Sequence, residues 1–506
     1  MAAEGQPVDM PRSVDAVVAR GACGQRQQCF ALVPADRLEL RLCGVGQVGL
    51  ITRNPACYAN PMIPTLHDFL STHHIHEVEC VIPDMTGIAR GKILPRDLFL
   101  ASGEMRIPKS VLLNTVNGQQ PDNGPFVGDT DPDMVCKPDA STVRVVPWAA
   151  EPVAVVIHDC EEWDGRPVQL SPRAVLRRVQ SLYERQGWRA VVAPEMEFYL
   201  VARQQNPHEP LQPPLGRTGK PEVGRQSYSI DAVNDFDPFF QELSAFCDQH
   251  RLGVETLIHE AGPGQMEINF SHGDPLELAD RVFLFKRAVR ETALRHGVFA
   301  TFMAKPMEGE PGSAMHVHQS VVDIETGHNI FSRADGQASE LFHHFIAGQQ
   351  VYIPQVMPVL APFVNSYRRL APYMSAPINV RWGHDNRTCG IRIPKSSPQA
   401  RRVENRVPGV DTNPYLAMAA TLACGWLGMT QQLQPSEPTQ DSAWNVRHEL
   451  PRHLEDAIES MRASVDLREV LGGLFVDAFC AVKELEYAGY NRVISSWERE
   501  HLLLLV

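Results

Sequence analysis

Two carboxylates one residue apart inside an apolar run constrain this chain more than any other feature. The run is "PEMEFYL", Pro194–Leu200, and the carboxylates are Glu195 and Glu197. The preceding Ala190-Val191-Val192-Ala193 reads as a strand entering a core. Alternate side chains of a strand share a face, so Glu195, Glu197 and Tyr199 point one way while Met196 and Phe198 point the other. Unpaired anions on a covered face repel each other and lose hydration, so the fold must supply compensation. A wet sheet face, arginine partners or a divalent cation would each do so, and this stretch alone leaves all three open.

Three further stretches repeat the pattern. "VETLIHEAGPGQMEINF" (Val254–Phe270) places Glu260 before a Gly-Pro-Gly turn and Glu267 after it. "GSAMHVHQS" (Gly312–Ser320) sets His316, His318 and Ser320 on one strand face, with Met315 and Val317 behind. "ARRVENRVP" (Ala400–Pro408) sets Arg402, Glu404 and Arg406 on one face. Taken singly, each reads as a satisfied core histidine or an ion-pair network on a wet sheet. Taken together, the five carboxylates and His316 suffice for two adjacent octahedral sites for Mg²⁺ or Mn²⁺, completed by water and substrate oxygens. No three-histidine or cysteine set suits zinc. The arginines of "NSYRR" (Asn365–Arg369), "DNRTCGIRIP" (Asp385–Pro394) and "ARRVENR" then call for anionic ligands. Paired metals beside an arginine cluster are the equipment of phosphoryl transfer from a nucleotide.

Composition narrows the setting. At 506 residues the chain is long enough for a large core and more than one domain. With 43% hydrophobic and 21% charged residues it reads as globular. A net charge of -13 works against non-specific nucleic-acid binding. No apolar run reaches membrane-spanning length, and the start, Met-Ala-Ala-Glu-Gly-Gln-Pro, lacks a basic stretch followed by an apolar one. The 11 cysteines form no CxxC pair, and Cys247 and Cys424 sit in apolar surroundings. They read as reduced thiols, not a disulfide or zinc framework. The expectation is a cytoplasmic protein with neither nucleic acid nor membrane as partner.

Residues 1–62 differ from the rest. They hold Cys23, Cys29, Cys43 and Cys57 with little periodicity, and are expected to be a poorly ordered extension. Their "GVGQVG" (Gly44–Gly49) matches a dinucleotide fingerprint literally, but Pro55 follows too soon for the required helix and no βαβ unit surrounds it. Met62 could equally be the start of the folded protein. Residues 64–160 alternate short apolar runs with turns; "VECVIPDMTGIARGKIL" (Val78–Leu94) predicts a strand, a turn at Thr86-Gly87 and a return strand. Its "GIARGK" has the wrong glycine spacing for a phosphate loop. Strand character continues through Lys137–Trp148. A second, larger domain over 165–506 opens on a helix with Ser171 as cap, Pro172 in the first turn, an apolar stripe of Val175, Leu176, Val179, Leu182 and Tyr183, and Gly187 at its end. Residues 203–224 read as a Pro- and Gly-rich loop, and the tail Leu450–Leu505 as mostly helical.

"PEMEFYL", "HEAGPGQMEINF", "FMAKPMEGEPGSAMHVHQS", "NSYRRLAPYMSAPINVRW", "DNRTCGIRIP" and "SSPQARRVENRVPGVDTNPYLAMAA", in that order, resemble the motif series of the glutamine synthetase family, from about residue 64 to the C-terminus. "DPDMVCKPDASTVRVVPW" resembles the family's stretch before the catalytic domain. The resemblance implies an α+β fold: a small β-grasp N-domain and a large catalytic domain with a curved antiparallel sheet flanked by helices. It implies that Glu197, Glu260 and Glu267 hold the metal nearer glutamate, and Glu195, His316 and Glu404 the metal nearer the phosphates. Glu255, His318, Ser320, Arg387 and Arg392 match nucleotide-contacting positions. Gly312, Arg369 and Arg406 match positions that hold glutamate or its phosphate, with Arg369, Arg387 and Arg406 the catalytic arginines. The implied chemistry uses Mg²⁺ or Mn²⁺, two or more per site, and ATP, which phosphorylates the glutamate side chain before an amine attacks the γ-glutamyl phosphate. Active sites would be shared between subunits of a homo-oligomer of stacked rings.

Two departures bear on the amine. Ammonium-using members carry a flap glutamate in P-G-Y-E-A-P; here the stretch is "APYMSAP" and Ser375 occupies that place. They also carry an N-domain aspartate, whereas the nearest counterpart here, "RIPKSVLLN" (Arg106–Asn114), has no acid. Ammonium must be held as a cation and deprotonated, a task for a carboxylate. "PINVRWGHDNRT" with "SWEREHLLLLV" resembles the γ-glutamylpolyamine synthetase branch, so the expected acceptor is a polyamine such as putrescine, and the setting polyamine metabolism. Gln399, at a position often lysine, is a third departure that leaves the acceptor question untouched. The alternatives are a true glutamine synthetase with Glu308 or Glu310 as the repositioned acid, a monoamine or ethanolamine ligase of the same branch, and a non-catalytic relative. All six proposed metal ligands are intact, which counts against the last.

Overall fold

A computed structural model of the chain describes residues 65–372 and 375–506. The expectations placed on residues 1–62, like Tyr373 and Met374 in the flap stretch, lie outside them. Residues Pro64–Val506 form one compact unit built around two sheets. The first holds β1 (Glu77–Pro83), β2 (Ala89–Pro95), β3 (Met105–Pro108), β4 (Asp133–Pro138), β5 (Arg144–Val145) and β6 (Val153–Glu161), in the order β2-β1-β6-β4-β3 with β5 beside β6. Only β1 and β6 pair in parallel.

The predicted hairpin at 78–94 forms, with Val78 opposite Leu94. Asp84 builds its turn by accepting from Thr86 N and Ile88 N, both at 2.9 Å, while its second oxygen accepts from Arg90 Nε at 2.7 Å. Gly87 takes φ +83° there, a region that penalises any Cβ.

The second sheet comprises β7 (Trp188–Ala202), β8 (Val254–His259), β9 (Gln265–Phe270), β10 (Val298–Thr301), β11 (Met315–Asp323), β12 (Trp382–His384), β13 (Ile391–Ile393) and β14 (Val403–Asn405). The order is β12-β13-β14-β11-β7-β9-β8, with β10 on β7. It is antiparallel except for the β12–β13 pair, a detail the expected all-antiparallel sheet lacked.

Helices α1 (Pro172–Glu184), α2 (Pro275–Arg295), α3 (Glu340–Tyr352) and α5 (Pro414–Thr430) pack on this sheet; α4 (Val364–Arg369) follows α3 in the chain, and α6 (Gly473–Asn491) packs on the helices over Leu454–Leu471. The α1 stripe is buried at Val175, Leu176, Val179 and Tyr183. Ser171 precedes the helix as expected, but its hydroxyl makes no capping bond. It is 1% exposed, and the first turn is held instead by Val175 N to Ser171 O at 3.0 Å and by the ion pairs of Arg173. Asn413 does cap α5, and its Nδ2 donates to Asp84 O at 2.8 Å, tying the core helix to the first sheet's turn. The cysteines of the described residues are buried and unbridged. Among those residues no helix is long and apolar enough to cross a membrane.

Candidate active site

The alternation in the sequence becomes a polar row running across five strands. Glu267 on β9 stands directly opposite Glu197 on β7, and Asn269 opposite Glu195. Glu195 in turn faces His316 on β11, His318 faces Glu404 on β14, and Glu404 faces Arg392 on β13. Opposed residues in a sheet bring their Cβ atoms to about 5 Å, so register alone converges these groups. Met196, Phe198, Met315 and Val317 bury the opposite face in the core.

Ligand atoms of Glu195, His316 and Glu404 lie within 4.8 Å of one another, and so do those of Glu197, Glu267 and His316. The first group is the phosphate-side set expected from the sequence. The second holds Glu197 and Glu267, two of the three residues expected nearer glutamate, and shares His316 with the first. Glu260 lies just past the end of β8, its N–H bonded to Gln265 O at 2.8 Å, and lines the same cavity from outside that group.

The charge balance is uneven along the row. Glu404 is 0% exposed and bonded by Arg392 Nη1 at 2.7 Å and by Arg406 Nη1. Glu195 has His316 Nδ1 at 3.1 Å and His318 Nε2 at 2.8 Å on its two oxygens. Burial works to raise both carboxyls, but these partners outweigh it and hold them below the usual range. Glu197 and Glu267 have no cation of their own. Burial, then the Glu260 charge, pushes Glu197 up to about 8. Burial, then the charges of Glu197, Glu195 and Glu260, pushes Glu267 up to about 9. His316 is driven down to about 4 by burial and then Arg406, which keeps its ring neutral and able to ligate. A buried set of oxygen donors that resist ionising until a cation arrives, with one neutral imidazole, fits Mg²⁺ or Mn²⁺.

A cavity of about 230 Å³ opens over this row, with Arg369, Arg387, Arg392 and Arg406 on its walls. Arg406 Nε is buried without a partner, a donor that a carboxylate or phosphoryl oxygen would satisfy. Arg369 is 2% exposed and already engaged, donating to Val407 O at 2.7 Å and Arg406 O at 3.0 Å. Gly312 is forced by space: a Cβ there would lie 2.5 Å from Ala304 O and 2.6 Å from Arg369 Cγ. Ser375 lines the cavity with φ +65°. Glu308 and Glu310 are not among its lining residues.

A second cavity of about 740 Å³ carries Glu255, His318 and Ser320, with Gln399 and Arg402 beside them. Glu255 sits at a register shift in β8 and accepts from Ser271 Oγ at 2.7 Å. The two cavities share Glu195 and Asn269 as walls. Of the expected nucleotide positions, Arg387 and Arg392 fall on the smaller cavity and the other three on the larger. The sequence reading missed Asn269, and with it Gln265, whose Nε2 donates to Glu197 Oε2 at 3.2 Å and Gly312 O at 3.1 Å. Both continue the Glu267 face of β9, so the same alternation would have found them.

Comparison with known proteins bears on this geometry. Residues 169–502 match the family model described as glutamine synthetase, catalytic domain. A glutamate–isopropylamine ligase from a Pseudomonas species is 33% identical, covering 87% of this chain and 98% of its own. The γ-glutamylputrescine synthetase PuuA of Escherichia coli K12 is 35% identical over 84% and 91%. Among solved structures, one described as a GmaS/ADP complex superposes with a TM-score of 0.73 at 27% identity, covering 87% of this chain and 99% of the other. A chain with this site, this match and these relatives belongs to the glutamine synthetase family.

Proposed function

We propose that this ligase joins the glutamate γ-carboxylate to a substituted amine, a polyamine such as putrescine first among acceptors, at the cost of ATP and through a γ-glutamyl phosphate. One observation carries the reading: a row of buried, mutually repelling carboxylates under an arginine-walled cavity whose expected flap acid is Ser375. Glu197, Glu267 and His316 would hold one Mg²⁺ or Mn²⁺, and Glu195, His316 and Glu404 the other, with Glu260 close by. Bound there, the ions would offset phosphate charge and orient the transferring group. Arg406, through its free Nε, would bind the glutamate or phosphoryl oxygens; Arg387 and Arg392 would meet the charge developing on the transferred phosphate. Arg369, which also lines the cavity, would bind glutamate or its phosphate with the N–H groups left after two of its five bond the 406–407 backbone. Glu255, His318 and Ser320 would line the nucleotide channel.

A small alkylamine is the second reading. It is favoured by Ile258, Ala261 and Ala376, apolar residues that line the same cavity as Ser375. The fold's division into a β-grasp domain over 64–160 and a catalytic domain over 165–506, and assembly into stacked rings, belong to the same proposal. Exposed Trp497 and Leu503–Val506 supply apolar surface for such an assembly to cover.

A panel of putrescine, longer polyamines, isopropylamine, ethanolamine and ammonium, assayed for phosphate release dependent on ATP and glutamate, tests the assignment. Putrescine should turn over with the highest kcat/KM. A preference for ammonium over every amine would replace this reading by glutamine synthesis.

A further inference from the structure

Away from the catalytic cavities, two thiols face each other across the smaller sheet. Cys136 on β4 and Cys160 on β6 are directly opposed in register. They are 0% and 3% exposed and unbridged. Asp139 N donates to Ile157 O at 2.9 Å, one step beyond the ladder's end. Hydrogen-bonded positions alternate along an antiparallel pair. The opposed pairs 139/157 and 137/159 are therefore bonded ones, and 138/158 and 136/160 are not. Pro138, which has no N–H to give, falls on an unbonded position as it should. Cα atoms at such a position lie about 4.5 Å apart, inside the range a disulfide spans and near its lower edge.

Only one of the two thiols has an approach. Cys160 lines a cavity of about 660 Å³ between β6, α1 and the segment entering α6, and Cys136 does not line it. Its polar walls are already balanced: Lys109 pairs with Glu162 at 2.7 Å and Arg177 with Asp159 at 2.9 Å. Leu471 and Leu474 add apolar surface. The cavity is of a size that holds a small organic molecule.

We propose that Cys136 and Cys160 form a reversible thiol-oxidation site, served by a low-molecular-weight disulfide that enters through this cavity. Cys160 gives up its proton and its thiolate attacks one sulfur of the disulfide. That S–S bond breaks, one thiol leaves carrying a proton, and a mixed disulfide remains on Cys160. Cys136 then attacks the Cys160 sulfur and expels the second thiol. Two protein thiols are oxidised and one disulfide is reduced to two thiols, so atoms and electrons balance. In the dithiol state the hydrogen bond to Cys160, and then burial, push the Cys136 thiol well up, which leaves Cys160, the one that lines the cavity, to attack first. Excess thiol runs the two displacements backwards and reopens the bridge.

The test is incubation of the full-length protein with oxidised glutathione, alkylation, and peptide mapping by mass spectrometry without reduction. The wild-type protein should yield a cross-linked peptide joining 136 to 160 that dithiothreitol reverses, and its melting midpoint should rise on oxidation. Cys136→Ser should stop at a glutathione adduct on Cys160 and show no rise. Cys160→Ser should leave Cys136 unmodified. A wild-type map without the 136–160 link, or with either thiol joined to another cysteine, overturns the proposal even if neither variant folds. An adduct on Cys136 in Cys160→Ser overturns the order of attack.

Discussion

Two places in this molecule gather carboxylates in the interior, and they differ in where the balancing charge comes from. Around Arg173, which is 1% exposed, the guanidinium forks onto Asp280 at 2.9 and 2.7 Å, reaches Asp139 at 2.9 Å and also bonds Asp159. Tyr415 OH completes the cluster by donating to Asp280 at 2.7 Å. The chain brings its own cation there, and the group acts as a clamp between the smaller sheet and α1 and α2. Along β7 and β9, among the described residues, no guanidinium or ammonium bonds Glu197 or Glu267, and burial with neighbouring carboxylates pushes them up to about 8 and about 9. The number of buried acids is therefore a poor guide to a ligand site. Whether each buried acid has a bonded cation is the better one.

The sharpest way to break this contrast is to remove one member from each cluster. Glu267→Ala should lose phosphate release dependent on glutamate and amine by at least about a thousandfold, roughly 4 kcal/mol of transition-state stabilisation. His316→Ala should lose as much, because that ring belongs to both ligand sets. Both variants should keep their fold. Arg173→Met should do the opposite, costing about 3–5 kcal/mol in urea unfolding by leaving buried Asp280 without a cation and Asp139 and Asp159 to Arg177 alone. Near-normal turnover by Glu267→Ala would mean that its charge is only structural.

A smaller effect follows from pH. Glu197 and Glu267 titrate above their ordinary 4.5 in the folded, metal-free protein. That state keeps protons which the unfolded chain has released, so its stability falls as pH rises from about 4.5 through about 9. Divalent ions need these carboxylates ionised, so stabilisation by Mn²⁺ should grow over the same window. Thermal melts at about pH 6 and pH 8.5, with and without Mn²⁺, check both slopes. A metal-free midpoint that rises across the window would contradict the assigned repulsion.

Adding an acid to the uncompensated cluster sharpens the comparison further. Ser375→Glu should raise kcat/KM for ammonium relative to long amines by about tenfold, worth about 1.4 kcal/mol. An unchanged ratio in the amine panel would remove Ser375 from the specificity account. The smallest expected effect is from a chain starting at Met62, which leaves both clusters whole and should turn over like the full one. Loss of activity or assembly in that truncation would give the first residues a role in the enzyme.

Much of the site was legible because a strand repeats every two residues. Glu195, Glu197, His316, His318 and Glu404 each announced a face, and the faces proved to be adjacent. What alternation alone could not supply was partnership between strands more than a hundred residues apart, so the place of His316 in both groups emerged only with the register. Glu260 lies one residue past the end of β8, where its N–H still bonds Gln265 O at 2.8 Å. The parallel β12–β13 pair depends on strands of three residues, too short to show a pattern. Ser171 reads as a cap by residue type, yet its buried hydroxyl makes no capping bond.

The most direct measurement is the number of Mn²⁺ ions bound per chain at saturation, counted from free Mn²⁺ by electron paramagnetic resonance. Two ions are expected in the wild-type protein, one in Glu267→Ala and none held tightly in His316→Ala. A wild-type count of zero or one, or two ions surviving in Glu267→Ala, would contradict the claim that the unbalanced carboxylates of this sheet are a two-metal site.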